Sequence, residues 1–321
     1  MAERLGYRGH AGLSAVERFM RHYFLVAKEV GQLTGIVCSA LEMKQLKSLP
    51  SLGTLLSPFG WKRRAHLRRT SDFRIENGRI SAIHKDIFAK DPVNFIRLFA
   101  LADEQQATFS PEVLRQVRAN LRLIDDSLRV NPTANRIFLR LLSDARDPEG
   151  VLRSMNEAGV LGHFIPDFGR VISMMQFNMY HHFTVDEHLI RTIGFLSDIE
   201  RGKYALEHPV STEIIRTIDN RRALFVAVLL HDIAKGRDED HSQAGARIAR
   251  ELGPRLGLTP SETETATWLV EHHLVMSTFA QSRDLNDPKT IRDFADLVQS
   301  RERLKLLLLL TVADLRGVGP G

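Results

Sequence analysis

The stretch Ala223-Leu224-Phe225-Val226-Ala227-Val228-Leu229-Leu230-His231-Asp232-Ile233-Ala234-Lys235-Gly236 decides the reading of this chain. Its first eight residues are apolar at every helical position, which predicts a helix buried on all sides. It closes on an imidazole, a carboxylate and an ammonium, with Gly236 placed as a C-cap. Burying ionisable groups is unfavourable by several kcal/mol unless they are paired or bound to metal. His231 and Asp232 therefore need partners. From this segment alone, an ion pair with Lys235 or an arginine serves as well as a metal.

Four more segments bear on that choice. Thr184-Val185-Asp186-Glu187 has the form of a capping box, opening a helix whose stripe Val185, Leu189, Ile193 and Leu196 also carries His188 and Thr192. His241 opens a helix on one face with Gly245, Ile248 and Leu252. Ala266, Leu269, Val270 and His273 form a stripe with His272 beside it. In the last helix Leu307, Leu310 and Thr311 share a face with Asp314. One inward histidine is ordinarily a hydrogen-bonded core residue. Five helices that each aim a His or Asp inward point to a metal centre. Imidazole and carboxylate without thiolate suit Mn²⁺, Fe²⁺, Zn²⁺ or Mg²⁺ and disfavour a structural zinc site. His182 is the alternative to His188 as the upstream ligand; the capping box favours His188.

The rest of the chain predicts an all-α protein: a helical linker domain with one small β-hairpin over 1–135, then a helical domain over 136–321, divided near Asn131-Pro132. A first helix opens on Ser14 and Glu17 as a capping box and carries Val16, Phe19, Met20, Tyr23 and Ala27 at helical spacing. The loop Ser48–Gly60 leads to the basic residues Lys62, Arg63, Arg64, Arg68 and Arg69, whose plainest reading is a solvated charged face. Phe73–Ile80 alternates around Asn77-Gly78, which predicts a hairpin on a type I′ turn. Helical patterns cover Pro92–Leu101, Pro111–Leu128 and Thr133–Leu142.

Across 321 residues, 44 basic and 39 acidic side chains are well mixed, and the net charge of +5 is too small to argue for nucleic acid. The apolar run Leu304–Val312 contains Lys305 and is far shorter than the ~20 residues of a membrane span. A single cysteine, Cys38, cannot form an internal disulfide, and the start of the chain has no signal-peptide pattern. A cytoplasmic protein without a membrane role is the expectation.

The order His188, His231-Asp232, Asp314 resembles the H…HD…D signature of the HD superfamily, helical metal-dependent phosphohydrolases. His241, His272 and His273 are similar to the added ligands of HD enzymes with two or more metals. Residues 14–24 (SAVERFMRHYF), 180–188 (YHHFTVDEH), 230–236 (LHDIAKG) and 311–316 (TVADLR) together resemble the bifunctional PII uridylyltransferase/uridylyl-removing enzymes over nearly the whole chain. That resemblance implies removal of UMP from uridylylated PII signalling protein, in response to glutamine. It implies two divalent ions, Mn²⁺ or Mg²⁺ before Fe²⁺ or Zn²⁺. His188, His231, Asp232 and Asp314 would hold one, and Asp232, His241, His272 and His273 the other. Lys235 would bind a phosphate oxygen or protonate the leaving group. The chain lacks the Gly-Ser and Asp-x-Asp pattern of the nucleotidyltransferase fold and ends just past Asp314, so it reads as a fragment without transferase activity and without the regulatory ACT domains. The alternatives are another HD phosphohydrolase acting on a nucleotide or cyclic dinucleotide, against which the absence of Gly-Tyr-Pro after His273 counts, or a non-catalytic PII-binding module.

Overall fold

The computed structural model describes residues 1–10, 13–48, 68–175 and 183–319. His182, the cluster Lys62-Arg63-Arg64 and the loop ahead of it lie outside the described residues. The helices that build the architecture are α1 (Ala15–Ser48), α2 (Asn94–Gln105), α3 (Pro132–Ser143), α4 (Pro148–Glu157), α5 (Val185–Glu200), α6 (Arg221–Leu230), α7 (His241–Leu256), α8 (Pro260–Glu271) and α9 (Arg301–Gly317).

The uniformly apolar helix is the axis of the molecule. Every residue of α6 from Ala223 to Leu230 is buried, with α3, α5, α7, α8 and α9 packed around it. Its first turn is held by charge. Arg221 reaches Asp144 (2.9 Å) beyond the end of α3 and Glu200 (2.8 Å) at the end of α5. The backbone N–H groups of Asp219 and Asn220 donate to Glu302 in the first turn of α9, at 2.8 and 3.1 Å. The start of α6 is thus pinned to three helices, which fixes where its other end delivers His231 and Asp232.

The hairpin predicted at Phe73–Ile80 is present. Strands β1 (Arg68–Arg69), β2 (Phe73–Glu76), β3 (Arg79–Ala82) and β4 (Thr108–Phe109) form a sheet in that order. Glu76 pairs with Arg79 across Asn77 and Gly78, whose φ values of 52° and 73° are those of a type I′ turn. Two short flanking strands were not expected. β1 adds antiparallel to β2, and β4 adds parallel to β3. Phe73 and Ile75 turn inward, where Phe73 meets Phe88 and Phe88 stacks on Phe95 at 4.5 Å.

The helical pattern Pro111–Leu128 is interrupted. A helix over Pro111–Ala119 stops at Asn120, whose side-chain amide turns back to the Gln116 carbonyl, and Asp126–Arg129 starts afresh on an Asp125 cap. Helix α3 packs against α2, α6 and α7. No helix of the described residues is long and apolar enough to cross a membrane.

Helix α8 opens on a capping box: the Thr259 N–H donates to Glu262 (2.8 Å) and the Glu262 N–H to the Thr259 hydroxyl (3.2 Å). Burial works against the Glu262 charge, but these donors and the Arg222 guanidinium outweigh it and hold its pKa below the usual range. A depressed carboxylate contributes stability that is complete above its unfolded pKa and lost as pH falls through its folded one. Glu262→Ala should therefore cost about 1–2 kcal/mol at neutral pH. That difference from the parent should shrink below pH ~4, as urea unfolding followed across pH would record.

Candidate metal centre

The far end of α6 carries the ionisable groups, but not quite as the sequence suggested. The α-helix ends at Leu230, His231 is its C-cap, and tight turns continue to Gly236, where φ is +78°. Asp232 and Lys235 therefore stand on a compact turn with no following helical residues above them. Around it come His188 from α5, His241 from the first residue of α7, His273 just past α8, and Asp314 from α9.

These side chains form two groups that share one carboxylate. His188, His231, Asp232 and Asp314 converge in the first, and Asp232, His241 and His273 in the second. Asp232 Oδ2 lies 3.6 Å from His188 Nε2 and 3.5 Å from His231 Nε2. Its other oxygen, Oδ1, lies 3.7 Å from His241 Nε2 and 3.6 Å from His273 Nε2. Asp314 Oδ1 completes the first group at 3.1 Å from His188 and 3.4 Å from His231. Asp232, His188, His231 and His273 are buried, whereas the His241 and Asp314 side chains keep 27% and 21% of their surface exposed. Solvent reaches the centre from that side.

Hydrogen bonds set the ring tautomers. His231 Nδ1 lies 2.8 Å from the Val228 carbonyl and His273 Nδ1 2.7 Å from the Val270 carbonyl. A carbonyl only accepts, so each Nδ1 carries the proton and each Nε2 presents a lone pair to the centre. The Nε2 atoms of His241 and His273 are buried without a hydrogen-bond partner. An unsatisfied buried polar atom is worth about 1–3 kcal/mol of destabilisation, which a cation at that place would remove. Four imidazoles, two carboxylates and no thiolate are a donor set that divalent metals accept, so these residues fit the ion.

The electrostatics agree. Burial opposes the charge on Asp232, yet His231, Lys235 and His273 hold its pKa well below the usual carboxylate range. The same contest leaves Asp314 depressed by His231 and His188. Burial disfavours protonated His188, but its hydrogen bond to Asp314 and the charge of Asp232 prevail and raise its pKa. His241 is pushed down, chiefly by burial. Two ionised carboxylates thus sit in a nearly closed nest. Lys235 Nζ lies 2.5 Å from Asp232 Oδ2, so the ion pair considered from the sequence is formed as well.

Two residues are placed otherwise than the sequence suggested. His272, counted among the ligands, belongs to neither group. It is the C-cap of α8, where the chain leaves the helix, and its ring stacks on Trp268 (ring centroids 4.8 Å, nearly parallel) with Nδ1 at the Trp268 carbonyl. The capping box at Thr184 is also incomplete. Thr184 is the N-cap of α5, but its side chain accepts no capping bond, and the Glu187 carboxylate pairs with Arg153. His188 still lies on the buried stripe with Leu189, Thr192 and Ile193.

Sequence reasoning missed two residues that set the geometry. Asp186 is buried and receives Asn156 Nδ2 (2.8 Å), the Ser173 N–H (2.9 Å) and Lys28 Nζ (3.5 Å). Gly317 lies against the His188 ring: a Cβ there would stand 2.4 Å from Thr192 Cγ2 and 3.0 Å from His188 Nδ1. A glycine in the last turn of a helix reads as a terminator, so nothing in the sequence marked that contact. Gly317→Ala should push the imidazole off its position and weaken metal binding by about 10- to 100-fold, the range for disturbed support of a ligand. Isothermal titration with Mn²⁺ measures this; unchanged affinity would show that the ring is held by other contacts.

Comparison with known families gives two matches. Residues 73–164 match the model described as uridylyltransferase GlnD third domain, and residues 185–315 match the HD domain. The second match spans His188 to Asp314 and so contains both groups. An HD domain indicates a metal-dependent phosphohydrolase, and HD domains bind divalent metals.

Proposed function

Because the chain belongs to the GlnD type, a uridylyltransferase third domain followed by an HD domain, we propose that it hydrolyses the phosphodiester joining UMP to PII signalling protein. The observation that carries the hydrolytic part is the division of Asp232, whose two oxygens face two separate sets of ligands. His188, His231, Asp232 and Asp314 would hold one divalent ion and Asp232, His241 and His273 the second. When bound, such ions activate water near neutral pH and neutralise charge on phosphoryl oxygens. The protein supplies the rest. The bonds to Val228 and Val270 keep His231 and His273 aimed, and the buried walls limit water to the side of His241 and Asp314. Lys235 has its Nζ on Asp232 and 10% of its side chain exposed; in this reading it would hold a phosphoryl oxygen or give a proton to the leaving tyrosine oxygen. PII and a cytoplasmic setting come with the family.

The Lys235–Asp232 pair favours one second reading, in which the cluster is a structural ion pair and the chain a non-catalytic PII-binding module. Three substrates separate the possibilities. Supplied with Mn²⁺, the chain should release UMP from uridylylated PII. Turnover of an aryl phosphodiester or a cyclic dinucleotide without PII turnover would move the assignment to another HD activity. Metal analysis that finds neither bound ion nor Mn²⁺ dependence would sink the hydrolytic reading.

A further inference from the structure

Helix α1 presents a face that the rest of the described chain does not cover. It is fixed to the body through one side. Arg21 donates to the Arg170 carbonyl (2.8 Å), Lys28 pairs with Asp186, and Phe24 is half-buried on the same line. The opposite side carries Val16, Phe19, Tyr23, Val26, Val30, Leu33 and Val37, separated by three, four, three, four, three and four residues. That is an average spacing of 3.5, the period of a coiled-coil seam rather than of a helix lying on a globular core. From Tyr23 onward the seam is exposed: Tyr23 57%, Val26 47%, Val30 58%, Leu33 59% and Val37 56%. Phe19 is the member already met, by Tyr7 at 5.4 Å between ring centroids.

We propose that this seam joins two copies of the chain as a parallel two-stranded coiled coil. The pattern specifies the occupant. In heptad terms the a positions are Val16, Tyr23, Val30 and Val37, and the d positions are Phe19, Val26 and Leu33. Valine at three of the four a positions, with Leu33 at d between Val30 and Val37, favours a parallel pair of helices over three or four. The flanking positions do not resist self-association. Those before the first three a residues are Ala15, His22 and Glu29, and those after the d residues are Met20, Ala27 and Thr34. In parallel register these face one another as Ala15 with Met20, His22 with Ala27, and Glu29 with Thr34 of the second copy. No like charges meet across these three pairs. The uncovered part of the seam, Tyr23 to Val37, spans 15 residues, about 22 Å at 1.5 Å per residue, which is two heptads. Lys28 attaches the helix to Asp186, two residues before His188 in α5.

Sedimentation equilibrium of the whole chain over a wide micromolar range should find a monomer–dimer equilibrium. Val30→Glu with Val37→Glu sets carboxylates against each other across two layers, and the dissociation constant should rise about 100-fold or more. Thermal stability of the dilute monomer and metal uptake should stay as in the parent. Register is read separately: Cys38→Ser with Val30→Cys should give a disulfide-linked dimer on mild oxidation, because in-register parallel helices place the two Val30 positions together. A monomer at every concentration, a trimer, or a dimer indifferent to the glutamates would overturn the proposal. So would failure of the Val30→Cys chain to cross-link. None of these outcomes bears on hydrolysis, which the substrate assays decide.

Discussion

Asp232→Asn should reduce hydrolysis by at least ~10³-fold, about 4 kcal/mol of transition-state stabilisation at 1.36 kcal/mol per factor of ten. The expectation rests on one carboxylate serving both ligand groups, so that neutralising it removes a charged donor from each. Asparagine keeps the size and one acceptor, which separates loss of charge from loss of packing. The same change leaves Lys235 beside a neutral amide in a site where 10% of its side chain is exposed. Breaking a buried pair from one side is worth about 3–5 kcal/mol of destabilisation. Loss of activity should therefore come with a lower Tm in metal-free buffer and with loss of Mn²⁺ uptake. A variant that binds two equivalents of Mn²⁺ with parental affinity would remove Asp232 from the bridging role.

Asp186→Ala should destabilise the fold by about 3 kcal/mol or more. The carboxylate is buried and gathers a side-chain amide from α4, a backbone N–H and the ammonium of Lys28 on α1. Removing the acceptor strands these donors; an unmet buried group is worth about 1–3 kcal/mol, and more when charged. Ser173, whose N–H is one of them, has φ of 56°, an uncommon conformation for a residue with a side chain. Without the Asp186 bond that backbone should relax. Because Asp186 lies in the first turn of α5, two residues before His188, metal affinity should fall together with stability. Urea unfolding gives the first quantity and calorimetric titration the second. A stable variant with weak metal binding would indicate that Asp186 positions α5 without supporting the fold.

Much of this architecture is legible in the sequence, and the misses share a cause. Helix α6 could be recognised because eight consecutive apolar residues permit no solvent face, and burial bears this out. The Asn77-Gly78 turn was equally legible, since few dipeptides accept two positive φ values. The inward placement of His188 and Asp314 followed from the 3.6-residue period. What failed depended on residues distant in the chain. Glu187 of the expected capping box at Thr184 pairs with Arg153. The carboxylate of Asp186 read as a first-turn helix residue, although its donors come from Lys28, Asn156 and Ser173. His272 and His273 cannot be told apart by pattern at a helix end, where the direction of the next residue depends on how the chain turns. The apolar stripe of α1 is real in the sequence, but its direction was not deducible, because the period says that a face exists and not what covers it.

The bonds from His231 to Val228 and from His273 to Val270 carry a thermodynamic consequence. Each ring is locked by its own helix end before any ion arrives, so folding has already removed most of its rotational freedom. Ion capture at these two rings should then lose little conformational entropy and depend mainly on the fit of ion radius to a fixed donor spacing. Discrimination among divalent cations would follow from rigidity in the two helix ends rather than from the identity of the ligands.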